Sequence, residues 1–270
     1  MTNTPSIDQI IEQFPFRQEV FDLVPEGSSR ILDFGCDHGQ LLLALRRDKG
    51  CDELFGIDVR EDLGHLLKER LDGYWTFNLG APENDLGEEF AGFFNYIVLH
   101  DVVEHLYDPW YVLPKLRKNL AMNGLLVIVV PNFRNWEFIN SLILGRFRYG
   151  TGDLMNEEHI RWFTLEGLEE LLQMSGFEVE SLDPMFPPNV DLNVLIERIK
   201  SPISSLELPP LESTMPDAKI TIRFPMGTDI RPEYIHFLAN KYLITCRRTF
   251  EEINPVQISF GDLAKRRQAT

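Results

Sequence analysis

Short apolar runs that stop at an acid or a turn residue alternate along this chain with stretches whose apolar positions recur every three or four residues. Residues 30–34, 53–57, 74–77, 92–99, 125–130 and 177–182 are of the first kind and predict strands. Residues 40–48, 63–71, 109–120 and 165–172 are of the second kind and predict helices. Flanking residues agree: Asp108 stands before Pro109 as N-cap and first-position proline, and Thr164 precedes the last of these helices. Ahead of them, residues 6–24 read as a helix capped by Ser6, with Ile7, Ile10, Ile11 and Phe14 on one stripe and a bend or a split at Pro15. The pattern predicts an α/β fold with a doubly wound, mostly parallel sheet, and residues 236–248 form a further apolar run. A helical insertion over residues 133–149 follows the fifth strand. Crossovers should be right-handed, with ligand outside the carboxyl ends of the strands. Asp33, Asp58, Asn78, Leu99 and Pro131 all fall at such ends.

The first strand runs into Asp33-Phe34-Gly35-Cys36-Asp37-His38-Gly39 and then a helix, and the second ends at Asp58. A strand, a tight loop and a helix, with a second acid at the end of the neighbouring strand, make a nucleoside site. The dinucleotide pattern G-x-G-x-x-G fails, because Asp37 and Gln40 stand where its later glycines belong. Two carboxylates in the loop would repel a pyrophosphate. They suit a cationic ligand instead, such as the ammonium and sulfonium of S-adenosylmethionine. Asp58 would accept from both ribose hydroxyls, and Asn78 can both donate to and accept from an adenine edge.

The segment Asp33–Gly39 resembles motif I of the class I S-adenosylmethionine-dependent methyltransferases, D-x-G-C-G-x-G. The departure is Asp37 in place of the middle glycine, where a left-handed backbone suits aspartate less well. Further on, Glu104-His105 followed by Asp108-Pro109 is similar to the loop after strand four of that family. Pro131-Asn132, then Gly145-Arg146-Phe147-Arg148-Tyr149, then His159-Ile160-Arg161-Trp162-Phe163-Thr164 resemble the group near MetW-like and polysaccharide-associated bacterial methyltransferases. The resemblance covers about residues 30–180, and it implies a seven-stranded sheet, with residues 236–248 resembling the last, antiparallel strand that closes it. It implies S-adenosylmethionine as cofactor, held by Asp33, Gly35, Cys36, Gly39, Asp58, Val59, Asn78, Leu79, Leu99 and His100. It implies methyl transfer to a small-molecule acceptor, and oxygen of a sugar or quinone-like precursor is the expected target. A non-catalytic or regulatory protein of the same fold, partnering another enzyme, is the alternative.

Composition narrows the partners. A net charge of −16 with no basic face excludes a nucleic-acid backbone as the expected partner. Cys36, Cys51 and Cys246 are odd in number and unpatterned, so neither a disulfide framework nor a metal site is expected. No apolar run reaches the length of a membrane span and no leader is evident, so the expected compartment is the cytoplasm.

Methyl transfer needs a base only where the acceptor must lose a proton. His105, after strand four, and His159, in the insertion, are the candidate catalytic residues, with a structural role as the alternative for each. Arg161, Trp136 and Tyr149 are the candidate substrate contacts, Arg161 for an acidic group unless it serves a surface ion pair. The expected domain plan is a helical cap over 1–29 and a methyltransferase domain over 30–250. Within that domain, 132–163 forms the acceptor-side lid and 184–232 a proline-rich elaboration, and 251–270 forms a loose tail. The insertion's aromatic residues would wall the acceptor pocket or allow a homodimer.

Overall fold

The computed structural model describes residues 6–14, 16–81, 84–151, 153–187, 190–198, 200, 205–208, 220–223 and 228–249. The expected tail over 251–270 and much of the expected elaboration over 184–232 lie outside them.

The N-terminal stretch forms two short helices, α1 (Ile7–Gln13) and α2 (Gln18–Leu23), so the expected helix is split rather than bent. Ser6 and Gln9 close a capping box on α1, which fixes where it starts. Then come β1 (Ser29–Phe34), α3 (Gln40–Lys49), β2 (Asp52–Asp58), α4 (Gly64–Lys68), β3 (Gly73–Thr76) and β4 (Phe94–His100). The second half holds α5 (Pro109–Asn119), β5 (Leu120–Pro131), α6 (Trp136–Ile143), α7 (Leu165–Met174), β6 (Phe177–Met185) and α8 (Leu192–Arg198). A ribbon of β7 (Ser205–Leu208) and β8 (Ile220–Arg223) precedes α9 (Arg231–Leu238) and β9 (Lys241–Arg248).

Seven strands form one sheet in the order β3-β2-β1-β4-β5-β9-β6. The first five are parallel, and β9 runs antiparallel to both β5 and β6. Order reverses between β1 and β4, the crevice where such sheets hold ligands. Side chains alternate across the sheet: Ile31, Leu54, Val98 and Val127 pack on one face with α1 to α4, while Leu32, Ile57, Leu99 and Ile128 pack on the other with α5 and α7. Central strands read as continuous apolar runs because both faces are covered.

Two expectations need correction. Residues 236–240 are not strand: α9 runs to Leu238, and β9 starts only at Lys241. The insertion's helix spans only Trp136–Ile143, because Gly145 takes a left-handed backbone (φ +68) just past its end. No helix among the described residues is long and apolar enough to cross a membrane.

Candidate functional site

The loop from Gly35 to Gly39 is fixed by backbone shape and by Asp58. Gly35 and Gly39 hold φ values of +80 and +75. A Cβ on Gly35 would meet Val102 Cγ2 at 2.7 Å, and one on Gly39 would meet Leu67 Cδ2 at 2.7 Å. Asp37 also sits left-handed, at φ +46, so the family's glycine geometry persists with an aspartate in it. Its strain is offset by anchoring: the Asp37 N–H donates to Asp58 Oδ2 at 2.8 Å. The Arg60 N–H donates to Asp58 Oδ1 at 3.0 Å, so one buried carboxylate ties the β1 and β2 loops together. Phe14 stacks on His38 with ring centroids 3.5 Å apart, bringing the N-terminal helices over this loop.

Asp33 is fully buried, and Arg17 grips both its oxygens, at 2.9 and 3.0 Å, while donating to the Gly35 carbonyl at 2.8 Å. Burial pushes the Asp33 carboxyl above its ordinary value, and the Arg17 charge opposes that rise. Asp37 is answered in turn by Arg60, at 2.6 Å. This corrects the charge argument made from the loop alone: each loop acid already has an arginine. Burial first, then the charges of Asp33 and Asp58, raises the Cys36 thiol well above its ordinary value, so it stays protonated and is no nucleophile.

The end of β4 carries a second network. His100 Nε2 lies 2.6 Å from Glu19 Oε1, its Nδ1 lies 3.3 Å from Asp101 Oδ2, and Lys241 Nζ donates to that oxygen at 2.5 Å. Burial alone would lower His100, but hydrogen bonds from Asp101 and Glu19 outweigh it and raise its pKa. Burial works on Asp101 in the opposite sense, yet His100 and Lys241 hold its carboxyl well below the usual range. Asp101 is itself left-handed, at φ +54, a strained shape for a non-glycine residue at a strand end.

Between the two networks lies a cavity of about 460 Å³. Arg17 and Glu19 from the N-terminal cap, Gly35 and Asp37 after β1, His100 and Asp101 after β4, and Asn240 and Lys241 before β9 line it. Met185, Phe186 and Pro187 close it from the end of β6. It therefore opens at the β1/β4 crevice, with both signs of charge on its walls.

No described residue of the insertion over 132–163 is in that lining. The insertion is stitched instead to the turn after β4. The N–H groups of Ile160 and Arg161 donate to the Glu104 carbonyl at 3.0 and 2.9 Å. This brings His159 and His105 together, with ring centroids 4.8 Å apart, beside Glu104. Arg161 donates to the Tyr107 carbonyl and lies over the Tyr107 and Trp110 rings, at 5.6 and 6.0 Å. Trp136 is buried, and Tyr149 is exposed beside Phe147.

Val59 is exposed next to Asp58, Leu79 and Leu99 are core, and Asn78 spends its side-chain oxygen on the Gly80 N–H at 2.9 Å. Sequence reasoning missed Arg17 and Lys241. Neither lies in a motif, and each reaches the site from an element remote in the chain. A lone arginine just after the expected bend at Pro15 was the available signal for the first.

The chain matches the methyltransferase domain family over residues 9–182. No curated protein matches it in sequence. Among solved structures, an S-adenosylmethionine-dependent methyltransferase from Mesorhizobium loti is similar at 14% identity, covering 90% of this chain and 100% of that one, with a TM-score of 0.54. One from Archaeoglobus fulgidus is similar at 17% identity, covering 90% and 95%, with a TM-score of 0.52. One from Methanosarcina mazei is similar at 15% identity, covering 88% and 100%, with a TM-score of 0.50. At these identities the likeness is one of fold.

Proposed function

The chain belongs to the methyltransferase domain family, with S-adenosylmethionine as cofactor, and on that premise we propose that it methylates a hydroxyl of a small molecule. The residues present fit that cofactor. A glycine cradle that a Cβ would fill, a buried carboxylate at the end of β2, and a cavity bearing both charges suit a ligand with a ribose, a carboxylate and two cationic centres. Asp58 would take the ribose hydroxyls. Arg17 and Lys241 would face the ligand's carboxylate, and Asp101 its ammonium. Val59 and Asn78, with Leu79 beneath, would border the adenine. When bound, the cofactor supplies a methyl group already activated for displacement.

The acceptor side carries the proposal for oxygen. A hydroxyl is a poor nucleophile until its proton is taken. Glu104, His105 and His159 meet one turn beyond β4. Burial lowers the His159 pKa, keeping that ring neutral and basic near neutral pH. Asp101 links the two regions: it lines the cavity, and its charge acts on both Glu104 and His159. Trp136, Tyr149 and Arg161 would set the acceptor from the insertion side, Arg161 by reaching an acidic group from its place above Tyr107.

The observation that carries this reading is the cavity at the β1/β4 crevice, with Asp101 on its wall and the histidine pair at the turn that follows the same strand. The test is incubation with methyl-labelled S-adenosylmethionine and a panel of hydroxyl, amine and thiol compounds. Label should appear in an ether of a hydroxylated member, with S-adenosylhomocysteine released in equal amount. Label in amines alone would overturn the oxygen assignment, and cofactor binding with no transfer to any member would favour a non-catalytic role.

A further inference from the structure

The turn after β4 holds a carboxylate that no other described residue answers. Glu104 is 1% exposed, and neither of its oxygens has a hydrogen-bond partner among the described residues. The nearest basic atom is His159 Nε2, 3.9 Å from Oε1, which is beyond hydrogen-bond range. A buried carboxylate in this state is costly unless a cation meets it.

Two imidazoles stand beside it. His105 Nδ1 lies 3.1 Å from the Glu158 carbonyl, and His159 Nδ1 lies 3.1 Å from the Leu154 carbonyl. A carbonyl only accepts, so each Nδ1 carries the ring proton and each Nε2 keeps its lone pair. One donor atom from each of Glu104, His105 and His159 lies within 4.8 Å of the other two.

We propose that Glu104, His105 and His159 form a binding site for a divalent transition-metal cation, Zn²⁺ in the first instance. Two neutral imidazoles and one carboxylate are the donor set such ions take. Imidazoles whose far N–H is held by a carbonyl are oriented as ligating histidines are. The backbone of residues 154–161 does this orienting, since it supplies both carbonyls and the two N–H groups that fix the Glu104 carbonyl. Ligands around one ion, at bond lengths of about 2.0–2.2 Å, sit about 3 Å apart, so the widest pair in the cluster closes by up to about 2 Å on binding. His105 is half-exposed and gives the ion a way in. The consequence for catalysis rests on the methyl-transfer reading: a bound ion would lower the pKa of an acceptor hydroxyl, with the histidines as its ligands rather than as bases.

The test uses the full chain, stripped with a chelator and titrated with Zn²⁺ by calorimetry and with Co²⁺ by visible absorption. One ion per chain should bind, and Co²⁺ should give the bands of a nitrogen- and oxygen-ligated site. Glu104→Gln, His105→Asn and His159→Asn should each weaken Zn²⁺ binding at least tenfold while S-adenosylhomocysteine still binds, which reports the fold. Crystals of the unaltered protein soaked in Zn²⁺ should show an anomalous peak among the three side chains, a readout that needs no variant. A peak elsewhere only, no uptake, or equal affinity in the three variants would overturn the site. Zn²⁺ binding is read without an acceptor and without turnover, so its failure leaves methyl transfer standing, and an inactive enzyme leaves the metal site standing.

Discussion

Asp58 is engaged before any ligand arrives, because its two oxygens each hold a backbone N–H. Each oxygen keeps a further acceptor site, which is what a ribose needs. Asp58→Ala should therefore weaken S-adenosylhomocysteine binding by about 2–4 kcal/mol, through lost charge-assisted hydrogen bonds and a loosened Asp37 loop. Calorimetry giving unchanged affinity would remove the ribose assignment. At this scale the sequence was informative where a residue's role is local. Gly35, Gly39 and Asp58 were identified because strand-loop-helix chemistry is written in a short window. Arg17 was not, because its partner Asp33 is reached only once α2 folds back over β1. Reading the loop acids without their arginines made the site look more negative than it is.

Helix α2 is held to the sheet edge through a titratable link, Glu19 to His100. His100 has a raised pKa in the folded protein, so its contribution is complete below its ordinary 6.5 and fades as pH rises through the raised value. Glu19, despite burial, is lowered by His100, so its contribution is complete above its ordinary 4.5 and fades as pH falls through the lowered value. The cap should thus be tightest between those two ordinary values. Protease cleavage within residues 6–24, followed against pH, should be slowest there, and His100→Gln should flatten the alkaline side. A profile that is flat in the unaltered protein would refute the link.

A second tie between elements is Asn132, fully buried after β5. Its Nδ2 donates to the His236 and Ala239 carbonyls at 2.6 and 2.8 Å, joining the end of β5 to the end of α9. Asn132→Ala would leave the His236 carbonyl without its donor and the Ala239 carbonyl with Asn135 alone, and should lower stability by about 1–3 kcal/mol, read as a reduced urea midpoint at unchanged slope. An unaltered midpoint would mean that water replaces the amide. The helix it contacts escaped sequence reasoning because Phe237 and Leu238 read on smoothly into the apolar run of Tyr242, Leu243 and Ile244. Pro232 near the start of α9 was the punctuation that marked it as a helix.

Across the whole molecule, the parallel half was readable because its code repeats. Five strands, each a buried run closing on a marked residue, leave few topologies once crossovers are right-handed. The later half was readable only in part. The 132–163 stretch reads equally as lid or as satellite packing, since Trp136, Phe138 and Phe163 are apolar for either purpose. Only the hydrogen bonds to Glu104 reveal that it braces the turn after β4.

The place of β9 in the sheet also bears on how the protein is made. β5 and β6 do not touch each other; β9, which comes after both, is slotted between them. As the chain leaves the ribosome, β1 to β5 can pair while synthesis continues, but the strand at 177–185 has no neighbour until residues 241–248 emerge. For that interval two apolar edges stand open, the condition under which nascent sheets stick to other chains. The slow, long-range closure comes last. It also carries Lys241 to Asp101, so the cavity gains its final cation only when the sheet is complete. A half-made chain therefore has no finished pocket with which to capture a nucleoside.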